Sequence, residues 1–290
     1  MKRLGLFFVM LCLCLVGKSQ TLKIGTYNIR QQNESDVKAG NGWQRRCPVI
    51  CDLLNFEDLD LLGCEEVFVE QLHDLLKGLN GYSYIGVGRD DGKEAGEYSP
   101  IFYKASKFKL LDSGHFWLAP DPTRPALGWD AACIRICTWG HFQDRQTNFR
   151  FWYFNLHMDH KGVMARRESA KLVISKIRKT CRHDPVILSG DFNVDQHDEI
   201  YKIFSNSGIL KDTYMSAKHR FAETGTFNNF QSDIKTNSRI DHIFVSPFFR
   251  VDNYGILTDC YWTKDTNLEN YQRRTLSDHY PVVVRILYKE

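Results

Sequence analysis

Short apolar runs alternate along this chain with segments of helical periodicity, and most of the runs end in a polar side chain. Runs of about four to eight aliphatic, aromatic or β-branched residues bounded by Gly, Pro, Asn or Asp are typical of strands. The pattern predicts strands over residues 22–29, 59–64, 132–139, 150–156, 185–189, 239–246, 251–257 and 279–287, with several short ones between 82 and 118. Residues 140–148 are polar and are predicted to be the turn between two of these strands.

Other segments place apolar residues three and four positions apart, as one face of a helix does. The clearest covers 164–181, where Ala170, Val173, Ile174 and Ile177 fall on one side and many charged residues on the other. Further helices are predicted over 43–56, 69–79 and 198–205. Strands interleaved with helices over a chain of this length indicate an α/β (α+β) protein.

The first twenty residues differ from the rest of the chain. Lys2 and Arg3 precede an apolar run from residue 4 to 16, and residues 17–20 are small or polar. Such a run is too short to span a bilayer, which needs about 20 residues, and its flanks are typical of a secretory signal peptide. We expect a signal peptide over residues 1–20, an exported (periplasmic or extracellular) protein without a lipid anchor, and a single domain over residues 21–290.

The net charge of +3 comes from that leading segment. The chain has 38 basic and 35 acidic residues, and the first twenty positions hold three of the basic ones and no acid, so the remainder is balanced at 35 against 35. A balanced chain lacks the bulk electrostatic signature of a general nucleic-acid binder, although a local basic patch stays compatible with such binding.

Cysteines give little direct information about function. Seven of them follow residue 20, namely Cys47, Cys51, Cys64, Cys133, Cys137, Cys181 and Cys260. Their spacing does not resemble a zinc site, which usually has two close cysteine pairs or histidine partners. Most are expected to be buried thiols, at least one thiol stays free because the number is odd, and a Cys181–Cys260 disulfide is left open.

Six polar groups stand at or beside the ends of predicted strands, where the ligands of α/β sheets bind. They are Tyr27-Asn28, Glu65-Glu66, His157-Met158-Asp159-His160, Gly190-Asp191-Phe192-Asn193, Arg239-Ile240-Asp241 and Ser277-Asp278-His279. Each fragment alone is a weak signal, since Asn or Asp after a strand is common in turns. Their types, order and spacing together resemble the endonuclease/exonuclease/phosphatase superfamily, over residues 23–284.

This resemblance implies the architecture. Members of the superfamily are four-layer α/β/β/α sandwiches, in which two mixed β-sheets pack face to face with helices outside and the active site lies along one edge. Residues 224–228 are similar to a segment of the deadenylase-like members, and His157 is typical of the deoxyribonuclease-I-like and sphingomyelinase-like ones.

The resemblance also implies a divalent cation, Mg²⁺ or Mn²⁺. Its predicted site consists of Glu66, Asn28 and Asp278, because such ions take hard oxygen ligands and commonly use one or two carboxylates together with water and substrate phosphate. Of the two adjacent glutamates, we predict that Glu66 points inward and that Glu65 lies on the rim.

The catalytic roles follow the same resemblance. Asp191 is predicted to accept the proton of the attacking water, or to orient that water, and Asn193 to donate to phosphoryl oxygens. Asp241 is predicted to hold the imidazole of His279 and to raise its basicity, and His157 to lie opposite. Both rings then stabilise the charge that develops at phosphorus.

Substrate contacts are predicted from Asn28, Asn193, Arg135, His160, Thr226 and Asn228. Arg135 interrupts an apolar run, so it occupies either a strand at the sheet edge or a phosphate-binding position. His160 is either an exposed loop residue or a contact to a flanking phosphate.

The function predicted from these residues is a divalent-metal-dependent phosphoesterase that hydrolyses a phosphodiester, in the manner of a nuclease, by in-line attack of water. One alternative is a phosphatase or phospholipase C-type hydrolase acting on a small phosphoester or a sphingolipid headgroup. Another is a non-catalytic binding module on the same fold. The expected partners are a phosphoester substrate and possibly nucleic acid; we expect no stable membrane insertion, no obligate protein partner and a monomer.

Overall fold

The structure is a computed structural model that describes residues 20–264 and 270–288. The predicted signal peptide lies outside the described residues, apart from Gln20, with which the first strand begins. Within the described ranges, no helix is both long and apolar enough to cross a bilayer.

Fifteen strands and six helices make up the described part of the chain. The strands are β1 (Gln20–Asn28), β2 (Leu61–Glu65), β3 (Tyr82–Ile85), β4 (Ile101–Lys104), β5 (Phe108–Trp117), β6 (Ile136–Asp144), β7 (Arg150–His157), β8 (Val186–Asp191), β9 (Lys211–Asp212), β10 (His219–Phe221), β11 (Asp241–Val245), β12 (Arg250–Ile256), β13 (Cys260–Lys264), β14 (Tyr271–Thr275) and β15 (Val282–Tyr288). The helices are α1 (Glu34–Lys38), α2 (Trp43–Glu57), α3 (Val69–Gly78), α4 (Val163–Cys181), α5 (Tyr201–Ser205) and α6 (Thr213–Ser216).

The strands form two large mixed sheets and one separate hairpin. The first sheet has the order β10-β12-β15-β1-β2-β4-β3, the second has the order β5-β6-β7-β8-β11-β9, and β13 pairs only with β14. Each large sheet contains a central parallel pair, β1 with β2 and β7 with β8. A parallel pair brings the carboxyl ends of its two strands to the same edge, which is where the polar strand ends of this sequence gather.

Alternation along the central strands produces the layers. Leu61 of β2 packs between the two sheets, whereas the next residue, Leu62, packs beneath α2 and α3. Ile187 of β8 likewise faces the other sheet, and Leu188 packs beneath α4. Since successive side chains of a strand point to opposite faces, each sheet has one face on its partner and one on helices. The protein is therefore the predicted four-layer α/β/β/α sandwich.

Polar groups link the two sheets close to the edge where these strands end. The hydroxyl of Tyr153 accepts from the backbone N of Gly63 and donates to the carbonyl of Gly25, both at 3.0 Å. The side-chain amide of Asn155 donates to the carbonyl of Cys64 at 2.9 Å. A β-carbon on Gly63 would lie only 2.1 Å from Oδ1 of Asn155, so glycine is required there for the sheets to approach.

One predicted element is misplaced along the chain. The strand predicted over 132–139 is instead β6 at Ile136–Asp144, so most of the predicted turn 140–148 is strand. Because β6 pairs with both β5 and β7 along its length, sheet hydrogen bonding carries these polar residues into the ladder despite their composition. The helix predicted over 164–181 agrees closely with α4.

The seven cysteines of the described residues are all free thiols. The disulfide between Cys181 and Cys260 that the sequence left open is therefore absent from this structure. Cys51, Cys64, Cys137 and Cys181 are buried, as expected for apolar-type thiols.

Candidate active site

The polar strand ends meet at one edge of the sandwich. In the strand registers Asn28 lies opposite Glu65, while Asp191 lies opposite both His157 and Asp241. A cavity of about 440 Å³ opens at this edge. Predicted site residues that line it are Glu66, Arg135, His157, His160, Asp191, Asn193, Asp278 and His279.

The imidazole of His279 is held by Asp241, which is fully buried. Nδ1 of His279 lies 2.9 and 3.1 Å from the two carboxylate oxygens of Asp241, and Nε2 lies 3.8 Å from Oδ2 of Asp191. Burial by itself would lower the pKa of His279, but the carboxylates of Asp241 and Asp191 outweigh it and raise that pKa well above its ordinary value. The ring is therefore cationic at neutral pH and can donate from Nε2 to an anion.

Asp191 lies between the two histidines. Its Oδ2 accepts from Nδ2 of Asn28 at 3.0 Å and is 3.4 Å from Nε2 of His157. Burial and the negative charge of Asp241, opposed by the positive charge of His279, raise the pKa of Asp191 to about 7. A carboxylate that exchanges its proton near neutral pH has the property required of a general base.

Asn193 positions His157. The backbone of Asn193 has φ 50° and its N donates to Oδ1 of Asp191 at 2.9 Å. Its Nδ2 donates to the carbonyl of Met158 at 2.9 Å and lies 3.2 Å from Nε2 of His157. Burial and the nearby guanidinium of Arg135 lower the pKa of His157 well below its usual value, so this ring is neutral. The predicted donation from Asn193 to phosphoryl oxygens stays a prediction, since both amide hydrogens have partners in this geometry.

Two carboxylates face each other where the cation was predicted. Nη1 of Arg30 lies 3.9 Å from Oε2 of Glu66 and 3.6 Å from Oδ2 of Asp278. Burial raises the pKa of Asp278, and the negative charge of Glu66 adds to that shift. Hard oxygen donors around a position that already attracts a guanidinium fit Mg²⁺ or Mn²⁺. Glu66 and Asp278 are therefore suitable ligands, while the identity of the metal stays a prediction.

Asn28 connects the two sheets. Its Nδ2 donates to Oε1 of Glu66 at 3.1 Å and to Oδ2 of Asp191 at 3.0 Å, and its Oδ1 accepts from the backbone N of Arg30 at 3.0 Å. The amide oxygen is thus turned toward backbone rather than toward the carboxylates. A role for Asn28 as a cation ligand or substrate contact would need the amide to turn over, and it stays a prediction.

The expectation that Glu65 lies on the rim is wrong. Glu65 is fully buried, and its Oε1 accepts from Oγ1 of Thr26 at 3.2 Å. Burial, together with the charges of Asp241 and Asp191, raises the pKa of Glu65 well above its ordinary value, so the group is neutral. Glu65 continues the inward alternation of β2, whereas Glu66 adopts φ 60° and lines the cavity. This backbone turn is why adjacent glutamates have different positions.

Arg135 forms part of the cavity wall just before β6 begins. Its side chain is 5% exposed, its Nη2 lies 3.0 Å from Nδ1 of His160, and its other nitrogens are 3.7 Å from Asp159 and 4.0 Å from Glu97. Its Nε and Nη1 have no hydrogen-bond partner within residues 20–264 and 270–288. These two nitrogens are shielded from solvent and lie closest to the two carboxylates, whereas the side chain as a whole lines the cavity. A phosphate contact from Arg135 therefore stays a prediction. His160 is an exposed residue on the same wall.

Thr226 and Asn228 do not reach the cavity. Their residues are 0% and 1% exposed, and Oγ1 of Thr226 accepts from the backbone N of Asp241 at 3.1 Å. Neither residue is part of the cavity lining in this structure, and their substrate contacts stay predictions. The aromatic neighbours Phe227 and Phe230 line the cavity instead, and the ring of Phe227 contacts His279 at 5.1 Å between centroids.

Four charged residues that line the cavity were not among the predicted site residues, namely Arg30, Asp36, Arg89 and Glu97. Arg89 donates from Nη1 to Oε2 of Glu97 at 2.6 Å, and that oxygen is 3.9 Å from Nδ1 of His157. Burial raises the pKa of Glu97, although Arg89 opposes the shift. Arg89 stands in a Gly- and Asp-rich loop without periodicity, so no pattern marks it, whereas the position of Arg30 two residues after Asn28 is a usable signal.

Comparisons with known proteins agree with the geometry. A crystal structure of an endonuclease/exonuclease/phosphatase family protein from Bacteroides thetaiotaomicron is 48% identical, with a TM-score of 0.91, over 94% of this chain and 100% of that one. A mannosyl-6-phosphatase from Bacteroides thetaiotaomicron is 49% identical, with a TM-score of 0.89, over 92% of this chain and 100% of that one. The uncharacterized protein L388 of Acanthamoeba polyphaga mimivirus is 26% identical over 276 residues, 91% of this chain and 99% of that protein.

The matched family agrees with the fold and with the residues at the edge of the sandwich. Its members are generally metal-dependent phosphoesterases, and they include both nucleases and phosphatases. Since the family match runs over residues 25–279, the chain belongs to the endonuclease/exonuclease/phosphatase family.

Proposed function

We propose that the protein is a divalent-metal-dependent phosphatase that hydrolyses a compact phosphoester, in the first place a sugar phosphate, by direct attack of water. The observation that carries the proposal is the cavity of about 440 Å³, which has acidic and imidazole groups together with Arg30, Arg89 and Arg135 in its lining. Cavities of about 300–1,000 Å³ suit small molecules. The 49% identity to a mannosyl-6-phosphatase supports the same substrate class.

In the proposed reaction, Asp191 acts as the base and His279 as the hydrogen-bond donor. Asp191 in its ionised form accepts a proton from the water that attacks phosphorus. The cationic ring of His279, oriented by Asp241, donates from Nε2 to a phosphoryl oxygen as negative charge develops. Arg135 binds a non-reacting phosphoryl oxygen. Glu66 and Asp278 would hold a divalent cation, which would supply neutralisation of charge on the phosphate and on the departing oxygen.

The nuclease alternative is less well supported by the shape and charge of the protein. A polynucleotide enzyme typically has a positively charged groove with aromatic side chains along which the strand lies. Here carboxylates accompany the arginines of the cavity, and the charges after residue 20 are balanced. The three arginines nevertheless suit any phosphate, so a nuclease activity remains the second candidate.

A substrate panel tests the proposal. The protein without residues 1–20 is assayed with Mg²⁺, Mn²⁺ or EDTA on mannose 6-phosphate, p-nitrophenyl phosphate, bis-p-nitrophenyl phosphate, oligonucleotides and sphingomyelin. We expect metal-dependent release of phosphate from mannose 6-phosphate, with a kcat/KM above that for either diester, and no turnover in EDTA. Faster cleavage of oligonucleotides or sphingomyelin than of the sugar phosphate contradicts the proposal, as does turnover that survives EDTA.

Two active-site variants and one control show whether the measured activity belongs to this protein or to a contaminating hydrolase. Asp191→Asn and His279→Ala should both lose the activity, whereas Phe56→Ala, an 82% exposed residue near the end of α2, should keep it. Retention of activity in either active-site variant would rule out the assigned roles.

Export and the monomeric state belong to the same proposal. Residues 1–20 have the composition of a signal peptide, which supports a periplasmic or extracellular enzyme. Fractionation of cells that express the full chain tests export, and light scattering of the purified protein tests the monomer. Activity confined to the cytoplasm contradicts the first expectation, and a stable dimer the second.

A further inference from the structure

We propose that one face of the hairpin β13–β14 is a carbohydrate-binding platform, so that the substrate class is a phosphorylated oligosaccharide rather than a free sugar phosphate. The inference rests on the proposed function and names the substrate of the same site more closely. Two large aromatic side chains carry it. Trp262 is 64% exposed and Tyr271 is 65% exposed, so neither ring is part of the core.

The two rings share a face of the hairpin. Trp262 pairs with Arg273 and Lys264 pairs with Tyr271, and directly paired residues of an antiparallel ladder point to the same side. All four of these residues are exposed. Trp262 and Tyr271 are diagonal neighbours in this register, at about 7–8 Å, so that two adjacent sugar rings can each meet one of them.

The opposite face already attaches the hairpin to the protein. Tyr261 is 9% exposed and belongs to the apolar cluster that contains Trp43. Arg274 donates from Nη1 to Oδ1 of Asn41 at 3.0 Å and to the carbonyl of Ala39 at 3.1 Å. The described residues therefore attach the hairpin through this face and leave its aromatic face exposed. Neighbouring exposed apolar side chains, unlike single ones, commonly mark binding surfaces, and Trp262 and Tyr271 are neighbours on one face.

The hairpin also contacts the loop that borders the active-site cavity. Arg273, the direct partner of Trp262, donates from Nη2 to the carbonyl of Ser232, and Oγ of Ser232 lies 3.4 Å from the carbonyl of Arg273. Ser232 belongs to the same loop as Phe230, which lines the cavity. Strand β14 ends at Thr275, only four residues before His279. A substrate whose phosphate lies at His279 would extend toward this face.

The chemistry of the face favours a carbohydrate. Pyranose rings present apolar C–H faces that pack on aromatic rings, and their hydroxyls accept hydrogen bonds from cations such as Lys264 and Arg273. A membrane would be expected to meet a larger apolar surface than two rings interleaved with charges. A polynucleotide would be expected to meet a basic chain, whereas the charges after residue 20 are balanced.

Binding is tested without catalysis. Titration calorimetry measures the affinity of unphosphorylated mannotetraose for the wild type, for the double variant Trp262→Ala/Tyr271→Ala and for the control Phe56→Ala. The control removes an exposed ring near the end of α2, whereas Trp43, which packs in the same cluster as Tyr261 of the hairpin, begins that helix. We expect measurable binding by the wild type and the control, and at least about tenfold weaker binding by the double variant, as for aromatic anchors at interfaces. Absent binding by the wild type, or equal binding by the double variant, overturns the platform.

Turnover distinguishes this inference from the proposed function. The double variant should hydrolyse mannose 6-phosphate at the wild-type rate but lose about tenfold in kcat/KM on a mannotriose that carries the 6-phosphate on its terminal sugar. Trp262→Phe should recover most of that loss. Equal loss on both substrates, or no loss on the longer one, contradicts the platform. Absence of turnover by the wild type on every phosphosugar contradicts the proposed function instead. Phosphatidylcholine vesicles and oligonucleotides are tested in the same way. If the wild type binds one of them instead of the glycan and the double variant does not, the hairpin binds that other partner and the inference is overturned.

Discussion

Two histidines, His279 and His157, line the cavity, and they differ in charge. His279 has a carboxylate of Asp241 at 2.9 Å and a raised pKa. His157 lies farther from its carboxylates, 3.4 Å from Asp191 and 3.9 Å from Glu97, and its pKa is lowered by burial and by the guanidinium of Arg135. One ring is cationic and the other neutral, although both are almost completely buried. Burial alone disfavours charge on either ring, so the placement of the neighbouring charges decides which histidine donates.

The largest expected effect comes from removing groups on the His279 side. His279→Ala and Asp191→Asn should each lower kcat/KM on a sugar phosphate by about 10³-fold or more, because one loses the cationic donor and the other the base. His157→Ala should cost far less, about tenfold, since a neutral ring contributes less to charge stabilisation. Steady-state kinetics on all three variants measures the difference, with thermal unfolding as the control for folding. Equal losses for His157→Ala and His279→Ala would contradict the view that the charged ring contributes more to catalysis than the neutral one.

Asp241→Asn tests what makes the two rings differ. The loss in kcat/KM should be about 10- to 100-fold, since the amide still holds the imidazole but no longer stabilises its charge. The charge of Asp241 raises the pKa of both Asp191 and His279, so its removal should move both limbs of the pH profile to lower pH. An unchanged profile would show that Asp241 acts only through geometry.

The next effect in size concerns the wild type, whose kcat/KM should change about tenfold per pH unit on each limb of its pH profile. Asp191 acts in its ionised form, so kcat/KM should rise with pH until the pKa of about 7 is passed. His279 acts in its protonated form, so the rate should fall again once the pH exceeds its raised pKa. His157 stays neutral throughout and adds no limb between them. A plateau extending well below pH 6 would contradict the assigned base.

The smallest effect should come from Glu65→Gln. Glu65 lies near both Asp191 and Asp241 but is neutral, so an amide of the same shape should change kcat/KM less than about twofold and stability within about 0.5 kcal/mol. Chemical denaturation and kinetics check both numbers. A substantial loss would mean that Glu65 contributes charge to the site after all.

The order of motifs predicted both the fold and the meeting of Glu66, Asp191, Asp241, Asp278 and His279, because strand ends converge whenever the sheet topology is right. Side-chain direction could not be read in the same way. Glu65 and Glu66 differ through a backbone turn at φ 60°, which no apolar pattern records. In the loop of Thr226 and Asn228, the inward direction depends on hydrogen bonds to distant backbone.

The arginines show a second limit of sequence reading. Arg135 was identified as a phosphate contact only as one of two alternatives, and Arg89 was not identified at all. Their positions depend on how a long loop and the start of β6 fold against the cavity, and neither segment has a period. The polar residues of β6 also led to a wrong prediction of where this strand lies in the sequence, because its position is determined by pairing with β5 and β7.

The glycine between the sheets has a consequence for how the enzyme can change. Glu66 belongs to one sheet and Asp191 to the other, so the gap between their backbones is set by the Tyr153 and Asn155 cross-links and by the missing side chain at Gly63. A methyl group at Gly63 would force the two sheets apart. It would thereby separate Glu66, a proposed cation ligand, from Asp191, the proposed base, without contacting either. We therefore expect substitutions of Gly63 to disturb the site more than substitutions of exposed residues at the rim of the cavity.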